Sequence, residues 1–171
     1  MTISLPPETS SPPRLQPSGW LRYFSFSVDH KVIGLQYLVC SFVFYLIGGA
    51  LAGAIRTELT SPVSDFMARD VYNQVLTLHG TVMIFLWIVP VVNGAFGNYL
   101  IPFYVGARDM AFPRLNAVAF WLIPPAGLML ITSYFLTGAA QSGWTAYPPL
   151  SITTPATGQI IWILSVLLLG G

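Results

Sequence analysis

Polar and apolar positions in this chain fall into long blocks rather than short alternations. Residues 32–55 run for 24 positions without a charge, residues 75–105 for 31 and residues 117–136 for 20. An α-helix rises about 1.5 Å per residue, so roughly 20 apolar residues cross a hydrocarbon core. All three blocks reach that length and predict spanning helices. A fourth block, residues 158–171, is apolar over only 14 positions, about one-third short of a span. A helix ending in mid-bilayer would leave its last carbonyls unpaired in lipid. The pattern therefore predicts an all-α, polytopic transmembrane helix bundle with three full spans and a truncated fourth, the N-terminal piece of something longer.

Composition agrees with that class. Of 171 residues, 54% are hydrophobic and 8% charged, and the mean hydropathy is +0.68; a soluble domain carries about 25% charge. A net charge of +1 with no basic cluster points to no nucleic-acid partner. The single cysteine, Cys40, lies within the first apolar block and reads as a buried, inert thiol, since reactive cysteines need a polar, electropositive site. Residues 1–19, MTISLPPETSSPPRLQPSG, hold five prolines and four serines. They are expected to form a disordered tail without helix, and they lack the apolar core of a signal peptide. The bundle is expected over residues 20–171.

Basic residues set the expected orientation. Arg14, Arg22 and Lys31 precede or open the first block, and Arg108 and Arg114 lie between the second and third. Arg56 and Arg69 lie between the first and second. Five against two puts the N-terminus and the 106–114 connection on the inner side. The second helix is expected to begin near Asn73, with Arg69 in the solvated outer loop.

Within the spans, Pro90, Pro102, Pro124 and Pro125 each remove a backbone donor and predict kinks, tolerated where neighbours re-satisfy the freed carbonyls. Gly94, Gly97 and Gly106 predict close helix approach. A tightly packed bundle accounts for all seven. His79, in LTLHGTVMIF, is different, because an ionisable side chain at membrane depth is costly and usually functional. A structural hydrogen bond to a neighbouring helix, ligation of a haem or metal, and proton relay all remain open. Met83 lies four residues on and shares its face, so it cannot take the opposite axial position of one haem. His30, the other histidine, belongs to the far boundary.

Several stretches go further. VDHKVIGLQYL, YNQVLTLHGTVMIFLW, FGNYLIP, VGARDMAFPRLNAVAFWLIPP and GWTAYPPLS occur in an order and at spacings resembling the largest-subunit family of the haem–copper oxidases. The resemblance covers roughly residues 20–171. It implies that His79 is an axial ligand of the low-spin haem, and bis-imidazole ligation suits electron transfer rather than oxygen binding. It implies that Arg56 contacts the formyl group of that haem, haem A, where a donor at the ring edge would raise the potential. Asp109 matches the family's proton-uptake carboxylate, and Asn98 and Asn116 match the asparagines above it. Trp144 and Tyr147 are expected over the haem propionates, with an interfacial aromatic belt as the alternative. Glu58 belongs to an outer metal site in some relatives. Val63, followed by Ser64, stands where those have a glycine, which weakens the match at that site and leaves a Glu58 metal open.

The resemblance further implies proton-pumping reduction of oxygen to water with electrons from cytochrome c, in company with oxidase subunits II and III, in a bacterial plasma or internal respiratory membrane. The high-spin haem, its copper and their ligands are expected beyond Gly171, so this piece alone is not expected to be active. A quinol oxidase, and a non-redox transport or packing subunit, are the alternatives.

Overall fold

The computed structural model of the protein describes residues 19–63, 66–136, 138–153 and 156–170. The expected tail, apart from Gly19, lies outside them, as do Ser64 and the fourth block's last residue, Gly171. Gly19 itself opens a short 3-10 helix, Gly19–Phe24, so the stretch before the first span is not wholly without helix. Among the described residues the fold is all-α.

Helix α1 (His30–Glu58) is capped by Asp29, whose side chain accepts the Lys31 backbone N–H at 2.9 Å, one of the orphan donors of a helix start. Helix α2 (Arg69–Val105) begins a turn earlier than expected and carries Arg69 as its first residue rather than in a loop. Helix α3 (Pro113–Leu136) and the shorter α4 (Ala156–Gly170) complete the bundle. Three of the four are long and apolar enough to cross a membrane.

The helices run up, down, up and down. Antiparallel pairing of α1 with α2 is fixed at both ends, by His30 against Asn98 and by Gly48 against His79. Helix α3 runs parallel to α1, with Phe120 edge-on to Tyr37 and Gly127 beneath the ring of Phe44. Helix α4 is tied to α3 by the Ser165 hydroxyl, which donates to the Ala126 carbonyl at 2.7 Å. Ile33, Phe44, Leu78, Val82, Leu86, Ile123, Leu130 and Trp162 fill the core, with Cys40 half-buried against it. Leucines, valines and aromatics also cover much of the outer surface, as lipid contact requires.

Helix α2 departs from a simple rod. Val82–Ile88 and Pro90–Gly97 form wide π-helical turns on either side of Val89, whose N–H reaches back five residues to Ile84. Pro90 cannot donate, so the i→i−4 ladder is interrupted there and wider turns take up the change. Of the three glycines expected at helix contacts, only Gly94 is at one: a side chain there would overlap the ring of Tyr37. Gly97 meets only Ile101 and Val92 of its own helix. Gly106, at φ +68°, instead ends α2, and the Ala107 N–H closes the turn on the Pro102 carbonyl at 2.9 Å. A left-handed residue at that position favours glycine.

Candidate functional site

Two groups of candidate side chains sit toward opposite ends of α2. The first surrounds His79, on the third turn. Its Nδ1 lies 2.9 Å from the Gly48 carbonyl of α1. A carbonyl only accepts, so Nδ1 carries the hydrogen and the neutral ring keeps its lone pair on Nε2. Helix approach makes this reach possible, since a Cβ on Gly48 would meet Met83 Sδ at 2.6 Å and Val82 Cγ1 at 3.3 Å. Met83 does share the His79 side of α2, where its thioether is packed on α1.

The opposite side of α2 holds the following segment in place. The Ala139 N–H donates to Gln74 Oε1 at 3.2 Å and the Gly143 N–H to Thr77 Oγ1 at 2.9 Å. Trp144 lies over Gly80, its Cδ1 3.1 Å from where a Cβ would be, and edge-on to Phe85. From α4, Trp162 Nε1–H donates to Thr81 Oγ1 at 2.9 Å. Thr81 and Thr77 each pass their own hydroxyl hydrogen to the carbonyl four residues back. Positions 77 and 81 flank position 79 by two residues, or about 200°, around the helix. One side of α2 thus presents the imidazole and the other is fastened down.

Trp144 is therefore beside the His79 turn, whereas Tyr147, further along the loop, is 72% exposed. Arg56 is exposed in the last turn of α1, eight residues and about 12 Å along the axis from Gly48. Glu58 Oε2 accepts the Met67 N–H at 2.9 Å and so closes the 59–67 loop.

The second group sits where α1 begins and α2 ends. Asn98 is 4% exposed; its Nδ2 donates to the Gly94 carbonyl at 2.7 Å and its Oδ1 accepts Asn116 Nδ2–H at 2.6 Å. Its backbone carbonyl accepts His30 Nδ1–H at 2.8 Å. That carbonyl is available because its usual helical partner, four residues on, is Pro102, which has no N–H. The two asparagines expected above Asp109 are thus bonded directly to each other. Asp109 is exposed in the turn after α2, with Oδ1 accepting the Met110 N–H at 2.8 Å. It lines a cleft of about 310 Å3 with Arg108, His30, Asp29 and Lys31. His30 therefore touches both the Asp109 cleft and the Asn98 backbone, a junction not foreseen from sequence. The available signal was a proline four residues after a polar residue inside a span.

Geometry and composition define the class as an integral membrane helix bundle with one imidazole presented from a spanning helix and a polar cluster at the other end. Residues 32–171 match the family described as Cytochrome C and Quinol oxidase polypeptide I. The chain is 63% identical over 151 residues to cytochrome c oxidase subunit 1 of Thermostichus vulcanus, covering 88% of this chain and 27% of that protein. It is 59% identical over 170 residues to the subunit 1 of Synechocystis sp., covering 99% and 30%, and 43% identical over 166 residues to that of Corynebacterium glutamicum, covering 91% and 28%. The chain belongs to the cytochrome c and quinol oxidase polypeptide I family, and it spans about three-tenths of the length of these relatives.

Proposed function

We propose that this chain is the part of an oxygen-reducing, proton-pumping oxidase subunit that holds one axial ligand of a low-spin haem and the proton-uptake entrance, and that cytochrome c is the electron donor. The observation that carries the reading is the His79–Gly48 bond. It orients the imidazole and leaves Nε2 as a lone-pair donor, as a carbonyl behind a metal-bound histidine does. The described residues contain no group of three or more His, Cys, Asp or Glu able to hold a metal ion. A single imidazole with a free Nε2 would suit an iron already held by a porphyrin, so the residues present fit a haem. Arg56, Trp144 and Tyr147 are the side chains proposed to face its periphery, and haem A is the form the Arg56 assignment requires. When bound, that group supplies one-electron transfer.

The other residues act on protons. Asp109, exposed beside Arg108, collects a proton from water at its carboxylate. Asn98 and Asn116 offer amide donors and acceptors that pass hydrogen bonds without keeping a proton. His30 holds its Nδ1–H on the Asn98 carbonyl and lines the same cleft as Asp109, so it joins the two. By the excess of basic residues, this end faces the inside of a bacterial respiratory membrane. The names of the similar proteins favour cytochrome c over quinol as donor. The oxygen site, its copper and the companion subunits II and III belong to the rest of the assembly, and the activity is proposed for the whole subunit.

The test is His79→Leu in the full-length subunit. Leucine is cheaper in lipid than histidine, so the helix still inserts. The low-spin haem band should disappear from the purified complex. An unchanged low-spin spectrum would reject the ligand assignment.

A further inference from the structure

A surface cleft of about 620 Å3 runs between the start of α1 and the end of α2; it shares Asp29 and Lys31 with the Asp109 cleft, and neither proposed site accounts for the rest of it. Its walls are Leu35 and Leu38 of α1 with Phe96 and Tyr99 of α2, all partly open to the surroundings. Arg22 and Lys31 stand at its mouth. The acid in the lining, Asp29, is engaged at the helix start, where Oδ1 holds the Lys31 N–H.

We propose that this cleft binds one phospholipid with an anionic headgroup, the phosphate between Arg22 and Lys31 and an acyl chain along Leu35, Leu38, Phe96 and Tyr99. The reading rests only on the chain spanning a membrane, not on the haem or proton assignments. Depth supports it: the cations stand where the first span begins, and the apolar walls lie further along the span. So does charge, since a basic residue near a membrane surface attracts anionic lipid. The cation is also held in advance. Arg22 Cζ lies 4.7 Å from the centre of the Tyr23 ring and Nη2 donates to the Tyr23 hydroxyl at 2.6 Å. Gln36 Nε2 in turn donates to the Tyr23 and Ser25 carbonyls at 3.0 and 2.9 Å, fastening this segment to α1. On the same short helix Trp20 and Phe24 are 70% and 68% exposed, as interfacial anchors are. An extended protein segment seated in the cleft would need partners for its own backbone at that depth. An acyl chain needs none.

The test uses the full-length oxidase in phosphatidylcholine nanodiscs containing a little phosphatidylglycerol with a photoactivatable acyl chain. Covalent label should appear on the Leu35–Leu38 and Phe96–Tyr99 peptides. Unlabelled phosphatidylglycerol should compete and phosphatidylcholine should not. Arg22→Gln should lower labelling of these peptides about fivefold, the factor expected for one basic contact to an anionic surface. Leu38→Trp, which fills the slot and spares the cations, should abolish it there while labelling at the lipid-facing Phe42 and Leu46 persists. Equal competition by both lipids, or undiminished labelling in Arg22→Gln, would mean ordinary surrounding lipid and overturn the proposal. So would label at Phe42 and Leu46 with none in the cleft, the result that an occupying protein segment produces.

Discussion

The two ends of α2 handle polar atoms in opposite ways. Around His79 a single polar side chain is held by one backbone carbonyl, and the helices approach closely because Gly48 has no side chain. Around Asn98 three polar partners converge, two from other helices, and a cleft carrying four charged side chains opens beside them. The difference matches what each end is proposed to do. A haem ligand needs one fixed orientation and an uncommitted lone pair, and more donors nearby would compete for it. Proton transfer needs several exchangeable hydrogen bonds and access to water. Between the two ends the turns of α2 widen, from Val82 to Gly97.

The largest expected effect that separates the ends is at Asp109. In the full-length enzyme, Asp109→Asn keeps size and polarity but holds no proton in the working range. Turnover should fall about a hundredfold, the lower end of what a positioned proton-transfer group contributes. Pumping should stop and both haem spectra should stay unchanged. Asp65 lies outside the described residues, so the control is Asp70→Asn, at the exposed start of α2, which should change neither. Proton uptake by stopped flow in vesicles decides it. Normal pumping in Asp109→Asn would reduce the residue to solvated surface.

Gly48→Val tests the other end. The added carbons meet Met83 and Val82, so α1 must move away and the His79 bond lengthens or breaks. Low-spin haem content should fall severalfold with the remaining band shifted, and Gly48→Ala should lie between. Proton uptake kinetics per remaining haem should be untouched. Full haem content with an unmoved band in Gly48→Val would show that the carbonyl bond does not position the ligand.

These two changes also mark how much could be read in advance. Span number, approximate bounds and the candidate residues followed from charge-free runs and from motifs, because lipid forces both length and composition. Partners did not follow. Nothing about Gly48 distinguishes it in sequence from Gly97, yet one carbonyl receives an imidazole and the other glycine touches only its own helix. His30 seemed remote from everything until antiparallel pairing brought it to Asn98. The π-helical turns were equally invisible, since a proline announces a lost donor but not which wider turn absorbs it. Contacts between helices depend on rotation and register, and an apolar block carries little information on either.

A smaller effect is expected at Arg56. If the guanidinium donates to a formyl group, Arg56→Met should blue-shift the reduced low-spin band and lower its potential. Arg69→Met, at the exposed first residue of α2, should do less. Redox titration with the optical spectrum compares them directly, and equal effects would return Arg56 to the lipid headgroups.

The smallest change is at Thr81, on the fastened side of α2. Thr81→Val leaves Trp162 Nε1–H without its acceptor at 2.9 Å inside the core. The variant keeps the shape of threonine, so packing is preserved and the loss is confined to that bond and the one the Thr81 hydroxyl gives the Thr77 carbonyl. Side-chain bonds between membrane helices are worth on average about 0.6 kcal/mol, so the cost should be of that order. That is enough to lower the thermal midpoint of α4 detachment by a few degrees, and too little to remove α4. Because Thr81 faces away from His79, the low-spin band should not move. Asp109 is remote, so proton uptake should also stay normal. Replacing Trp162 with Phe should cost less in this background than in the parent protein, since the bond it would break is already gone and only packing is lost. Strict additivity of the two losses in a denaturation series would show that the indole draws its stability from packing, and that the threonine ladder does not join α4 to the ligand helix.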